Sequence, residues 1–105
     1  MIVGDILIVD DEREVRLALR RTLERSGYAV REASDGASAI GMMEDCNPAV
    51  VISDYRMAGV DGVFVLKKAK ALYPETQRIM LTGQADMATV EEAINEGEVH
   101  RFLSK

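Results

Sequence analysis

Apolar positions along the chain follow two alternating patterns. Unbroken runs occur at Ile6-Leu7-Ile8-Val9, Ala49-Val50-Val51-Ile52 and Ile79-Met80-Leu81. Such runs, rich in β-branched residues, predict strands buried on both faces. Tyr28 to Ala33 and His100 to Ser104 predict two further strands. Between the strands the period becomes helical. Val15, Ala18, Leu19, Thr22 and Leu23 fall on one helix face, with Arg16, Arg20 and Glu24 opposite. Gly27 is placed to end that helix in a left-handed conformation. A second helix opens at Ser34-Asp35-Gly36, runs through Ala37, Ile40 and Met43, and stops at Asn47-Pro48. Asp61 is the N-cap of a third, which turns Val63, Leu66, Ala69 and Leu72 inward and ends before Pro74. A fourth starts near Asp86 and uses Met87, Val90, Ile94 and Gly97.

Strands that alternate with helices imply right-handed βαβ units and a parallel sheet. The predicted fold is α/β, a flavodoxin-like doubly wound five-stranded parallel sheet in the order 2-1-3-4-5. The chain of 105 residues makes a single domain, residues 1–105, with one hydrophobic core.

Composition narrows the functional classes. A net charge of −5, with no long basic run, argues against gripping nucleic acid through its phosphates. It suits a site for cations or a basic partner. Cys46 is the single cysteine, so no internal disulfide forms, and it has no metal-ligand spacing to another Cys or His. It reads as a small half-buried residue at a helix end. The expected setting is the cytoplasm, with no signal peptide and no membrane span.

The strand ends carry the candidate chemistry. In the order 2-1-3-4-5, strands 1 and 3 flank the switch point, where ligands bind beyond the carboxyl ends of the strands. Strand 1 ends in Asp10 and Asp11, strand 3 in Asp54, strand 4 in Thr82 and strand 5 in Lys105. Three carboxylates brought together repel unless a proton or a divalent cation offsets them. All-oxygen ligands favour Mg²⁺, or Mn²⁺ in its place, over zinc. A carboxylate nucleophile, a hard cation, a lysine and a hydroxyl donor make a phosphoryl-transfer site. Each residue also has an ordinary reading. Asp11 with Glu14 fits a helix cap, Thr82 a turn hydroxyl and Lys105 a solvated terminus. It is the joint pattern that favours a site.

These segments resemble the response-regulator receiver domain of two-component signalling. The matching residues are Ile8-Val9-Asp10-Asp11-Glu12, Asp54-Tyr55-Arg56-Met57 with Gly59 and Asp61-Gly62, Leu81-Thr82-Gly83, and Phe102-Leu103-Ser104-Lys105. The resemblance implies that Asp54 accepts a phosphoryl group from a sensor histidine kinase or a phosphotransfer protein. It implies that Asp10, Asp11, Asp54 and the backbone carbonyl of Arg56 hold Mg²⁺, and that Thr82 and Lys105 contact the phosphoryl oxygens. Phe102 matches the family's switch aromatic, and the surface from the fourth helix to the fifth strand would carry the change to an output domain or effector. Arg56 and Gln84 flank the pocket, where they would tune attack by water.

The sequence departs from that family in two places. Position 58 is Ala where the family usually has Pro. The family continues from its lysine into a fifth helix, whereas this sequence stops at Lys105. That stop is expected to leave a truncated domain, a fragment of a longer regulator, with apolar surface that invites self-association. Two other functions stay open at this stage: a Mg²⁺-dependent small-molecule phosphatase or phosphotransferase, and a receiver-like scaffold that works without phosphorylation. Against the phosphatase, so short a chain shows no substrate-specificity insertion. Against the scaffold stands the intact acid set.

Overall fold

The computed structural model describes residues 5–57, 59–83 and 99–104; the side chains of Phe102 and Ser104 are outside that description. Ala58, Gln84, the predicted fourth helix with Asp86, Met87, Val90, Ile94 and Gly97, and Lys105 all lie outside the described residues. The elements in chain order are β1 (Asp5–Val9), α1 (Arg13–Arg25), β2 (Ala29–Ala33), α2 (Gly36–Asp45), β3 (Val50–Asp54), α3 (Gly62–Leu72), β4 (Gln77–Thr82) and β5 (Arg101–Ser104). The five strands form one sheet in the order β2-β1-β3-β4-β5, with every neighbouring pair parallel. This is the doubly wound sheet read from the sequence.

The strand pattern explains the layering. Successive side chains point to opposite faces. In β1, Leu7 and Val9 join one cluster with Ala33, Val51 and Met80, covered by Ala39 and Met43 of α2 and by Val65, Leu66 and Ala69 of α3. Ile6 and Ile8 join the other with Val30, Ile52 and Leu81, against Val15, Leu19 and Leu23 of α1. Unbroken apolar runs are therefore required in β1 and β3, because neither face of those strands meets water.

The helix faces differ in detail from the sequence reading. Ala18 and Thr22 are exposed, and the Thr22 hydroxyl donates to the Ala18 carbonyl at 3.0 Å. The inward stripe is Val15, Leu19 and Leu23, with Arg16 half-buried beside them. In α3, Val65 takes the buried place and Leu72 stands 39% exposed. Small or polar residues at helical spacing leave the edge of the buried stripe undetermined until the sheet beneath is in place.

The ends follow local chemistry. Gly27 has φ +96° and closes α1, its N–H donating to Glu24 O at 2.9 Å and that of Tyr28 to Leu23 O at 3.1 Å. Asp35 caps α2 through Ser38 N at 2.7 Å, and Asp61 caps α3 through Phe64 N at 3.0 Å. Among the described residues, no helix is long and apolar enough to cross a membrane.

Candidate cation and phosphoryl site at the carboxyl edge of the sheet

Register brings the acids together. Val9, the last residue of β1, pairs with Ser53 of β3, so Asp10 and Asp54 leave adjacent strands at the same level. On the other side Asp54 pairs with Leu81, and Thr82 is the next residue of β4. Asp10 is fully buried and Asp54 is 5% exposed, while Asp11 and Glu12 face solvent. Each of these four offers a carboxylate oxygen, and the oxygens lie within 4.8 Å of one another. Two unit negative charges at that separation repel by about 3 kcal/mol at an effective dielectric of about 20. A divalent cation with oxygen ligands removes that cost, so this cluster can bind a metal ion.

The turn leaving β1 is tightly bonded. Asp10 N donates to Ala33 O at 3.2 Å, and Glu12 N donates to the Asp10 carboxylate Oδ1 at 2.8 Å. The capping role that the spacing offered Asp11 is not taken. Glu12 is the N-cap of α1, it makes no side-chain cap bond, and its carbonyl accepts from Arg16 N at 3.2 Å. Asp11 is thereby left facing the pocket side of the turn, and Glu12 joins the acids. In the sequence Glu12 stands out only as part of a motif. The signal was its place in the run Asp10-Asp11-Glu12.

The loop after β3 forms the opposite wall. Tyr55 N extends the ladder to Leu81 O at 3.0 Å, and Gly62 N returns to Tyr55 O at 3.0 Å. Between these bonds, Tyr55, Arg56, Met57, Gly59 and Asp61 line a groove with Asp11. Two close approaches hold the loop. A Cβ on Gly62 would collide with the Asp54 carbonyl, and one on Gly36 would sit 2.8 Å from the Val60 side chain. Gly59, at φ +80°, makes the reversal between them.

Thr82 is buried at the end of β4, where its hydroxyl donates to Gly83 O at 3.1 Å. Among the sequence-predicted residues, Asp10, Asp11 and Asp54 come together, Arg56 lines the adjoining groove, and Thr82 ends the neighbouring strand. Phe102 pairs through its backbone with Met80.

By its spacing Arg16 belongs to the polar face of α1. Instead its guanidinium reaches back to the sheet. Nη1 donates to the Asp10 carbonyl at 2.7 Å and Nε to Glu32 Oε1 at 3.1 Å. Arg20 takes the other Glu32 oxygen at 2.6 Å. Hydrogen bonding from Arg20, then from Arg16, holds the Glu32 carboxyl below its ordinary range.

The response regulator receiver domain family matches residues 6–105. The chain is 33% identical over 100 residues to the C4-dicarboxylate transport transcriptional regulatory protein DctD of Rhizobium meliloti, covering 95% of this chain and 22% of that protein. It is 28% identical over 97 residues to sporulation initiation phosphotransferase F of Bacillus subtilis, covering 92% of this chain and 78% of that one. The crystal structure of the receiver domain of NtrX from Brucella abortus superposes with a TM-score of 0.88 at 33% identity, over 96% of this chain and 85% of that chain. The chain belongs to the response-regulator receiver domain family, whose members act as signalling switches in two-component systems. It spans about a fifth of the length of several of the curated regulators it matches.

Proposed function

We propose that this domain is a phosphoacceptor switch in which Asp54 is the nucleophile. The observation that carries the reading is the convergence of Asp10, Asp11, Glu12 and Asp54, with their oxygens within 4.8 Å, two of the four being buried. A carboxylate oxygen of Asp54 attacks phosphorus of a phosphohistidine on a sensor kinase or phosphotransfer protein. The P–N bond breaks as the P–O bond forms, and the imidazole nitrogen leaves with its electron pair. The product is an acyl phosphate on Asp54.

Asp10, Asp11, Asp54 and the carbonyl of Arg56 are the proposed ligands of Mg²⁺, or of Mn²⁺ in its place. When bound, the cation neutralises charge on the transferring group. The residues fit that ion: they are all oxygen donors, and buried carboxylates this close are costly without one. Thr82 and Lys105 are assigned to the phosphoryl oxygens. Phe102 and the segment from Asp86 to Ser104 are assigned to passing the change to an output domain or effector in the cytoplasm. The domain acts on itself rather than turning over a separate substrate.

The test is intact mass after incubation with Mg²⁺ and a small-molecule acyl phosphate. One adduct of about 80 Da, a single phosphoryl group, is expected in the native chain and none in Asp54→Asn. An adduct of equal yield in Asp54→Asn overturns the assignment. Continuous turnover of phosphoesters without an adduct replaces it with a phosphatase.

A further inference from the structure

We infer that Arg16 is a positioning residue for the cation site. It holds the peptide between Asp10 and Asp11 in one orientation and is itself held by Glu32. The inference rests on the reading of the acidic cluster given above. A peptide unit is planar, so fixing the Asp10 carbonyl also fixes the N–H and Cα of Asp11. The peptide on the other side of Asp11 is held as well, because Glu12 N donates to Asp10 Oδ1 at 2.8 Å. With both flanking peptides fixed, the direction in which the Asp11 side chain leaves the main chain is set. Among the described residues the Asp11 carboxylate makes no hydrogen bond of its own, so no bond within the protein competes with the direction the main chain gives it.

The Arg16 bond is built for this. At 2.7 Å it is shorter than the usual N–H···O distance of about 2.9 Å, as bonds from a charged donor are. The same guanidinium reaches Glu32 on β2, the residue that pairs with Ile8 of β1. The side chain is only 15% exposed. One planar fork therefore ties α1 to both the end of β1 and the neighbouring strand. A lysine ammonium keeps the charge but not the fork. Arg20, bonded to Glu32 at 2.6 Å and to Glu24 at 3.1 Å, fixes the carboxylate from the far side.

A purely electrostatic role has the opposite sign. A cation beside a cation site weakens binding, so its removal would tighten Mg²⁺. A positioning role predicts weaker binding when the fork is lost, whether or not charge is kept.

The experiment is a Mg²⁺ titration followed by amide ¹H–¹⁵N shifts, with folding stability measured in parallel. Arg16→Lys and Arg16→Met are compared with Tyr73→Phe. The last removes a hydrogen bond to Met43 O at 2.9 Å that ties the residue after α3 to α2, and so serves as a control for lost stability without lost positioning. Both Arg16 variants are expected to bind Mg²⁺ about tenfold more weakly, the low end for outer partners of metal ligands, with Tyr73→Phe unchanged. Native-like affinity in Arg16→Lys, or tighter binding in Arg16→Met, overturns the inference and leaves the function standing. If the native chain shows no Mg²⁺-dependent shifts, the cation reading itself fails, and the inference with it.

Discussion

The same substitution at two glycines is expected to act in opposite directions. Gly62 is the first residue of α3 and lies against the backbone of Asp54. An added Cβ would collide with the Asp54 carbonyl oxygen and lie 3.0 Å from both the Asp54 carbonyl carbon and Tyr55 Cα. All three are backbone atoms, so no side chain can swing away. Overpacking of this kind costs about 1–3 kcal/mol, and rigid neighbours put it near the top of that range. Alanine returns at most about 1 kcal/mol of helix propensity at such a site. The net effect is a loss of about 2 kcal/mol. Gly41 lies within α2 with nothing within 4 Å of an added Cβ and an ordinary φ. There the propensity gain stands unopposed, at about 0.4–1 kcal/mol.

For a domain of this size, 1 kcal/mol moves Tm by about 4–8 °C. Gly62→Ala should therefore lower Tm by roughly 8–16 °C, and Gly41→Ala should raise it by about 2–8 °C. Circular dichroism during thermal and urea unfolding measures both, with an unchanged m value showing that the native fold is retained. Because Gly62 abuts Asp54, its variant should also show weaker Mg²⁺-dependent amide shifts, whereas Gly41→Ala keeps the native titration. Two shifts of the same sign in Tm would refute the close-approach argument.

Acid stability depends in part on Glu32, whose folded pKa lies below its ordinary value of 4.5 through its bonds to Arg20 and Arg16. The unfolded chain then takes up the proton first, so this stabilisation is complete above the ordinary pKa and is lost as pH falls through the lower folded one. Glu32→Gln should be less stable at neutral pH and flatten the acid limb of a stability–pH curve; a limb as steep as the native one would sink this account. Asp61→Ala removes the bond to Phe64 N at 3.0 Å and should cost about 1 kcal/mol, as N-cap losses do. Urea unfolding measures it, and a change below about 0.3 kcal/mol would mean the cap is replaced by water.

The sheet was legible from the chain because burial on both faces leaves a strand no freedom of composition. β1 and β3 could be read residue by residue, and with them the acids at their ends. The order of strands followed from the alternation of elements and the handedness of their connections. Asp61 was legible as a cap, and the start of α2 at Ser34-Asp35-Gly36, since a cap is a bond to a residue two or three positions away.

Longer-range bonds were not legible. Nothing in the spacing of α1 separates Arg16, bonded to β1 and β2, from the other arginines of the helix. Only the register that sets Glu32 beside Ile8, and α1 across both strands, makes that pair. The same holds at the turn: the sequence offered Asp11 as a helix cap, and the packing begins the helix one residue later, leaving Asp11 to the acidic cluster. Gly62 stands in the sequence only as part of the Asp61-Gly62 motif, but its reason is the backbone of Asp54 lying against it. By itself the sequence determined which acids stand at the carboxyl edge, because strand burial and topology are written in local patterns. How those acids are aimed was decided only by tertiary structure, because it depends on contacts between residues far apart in the chain.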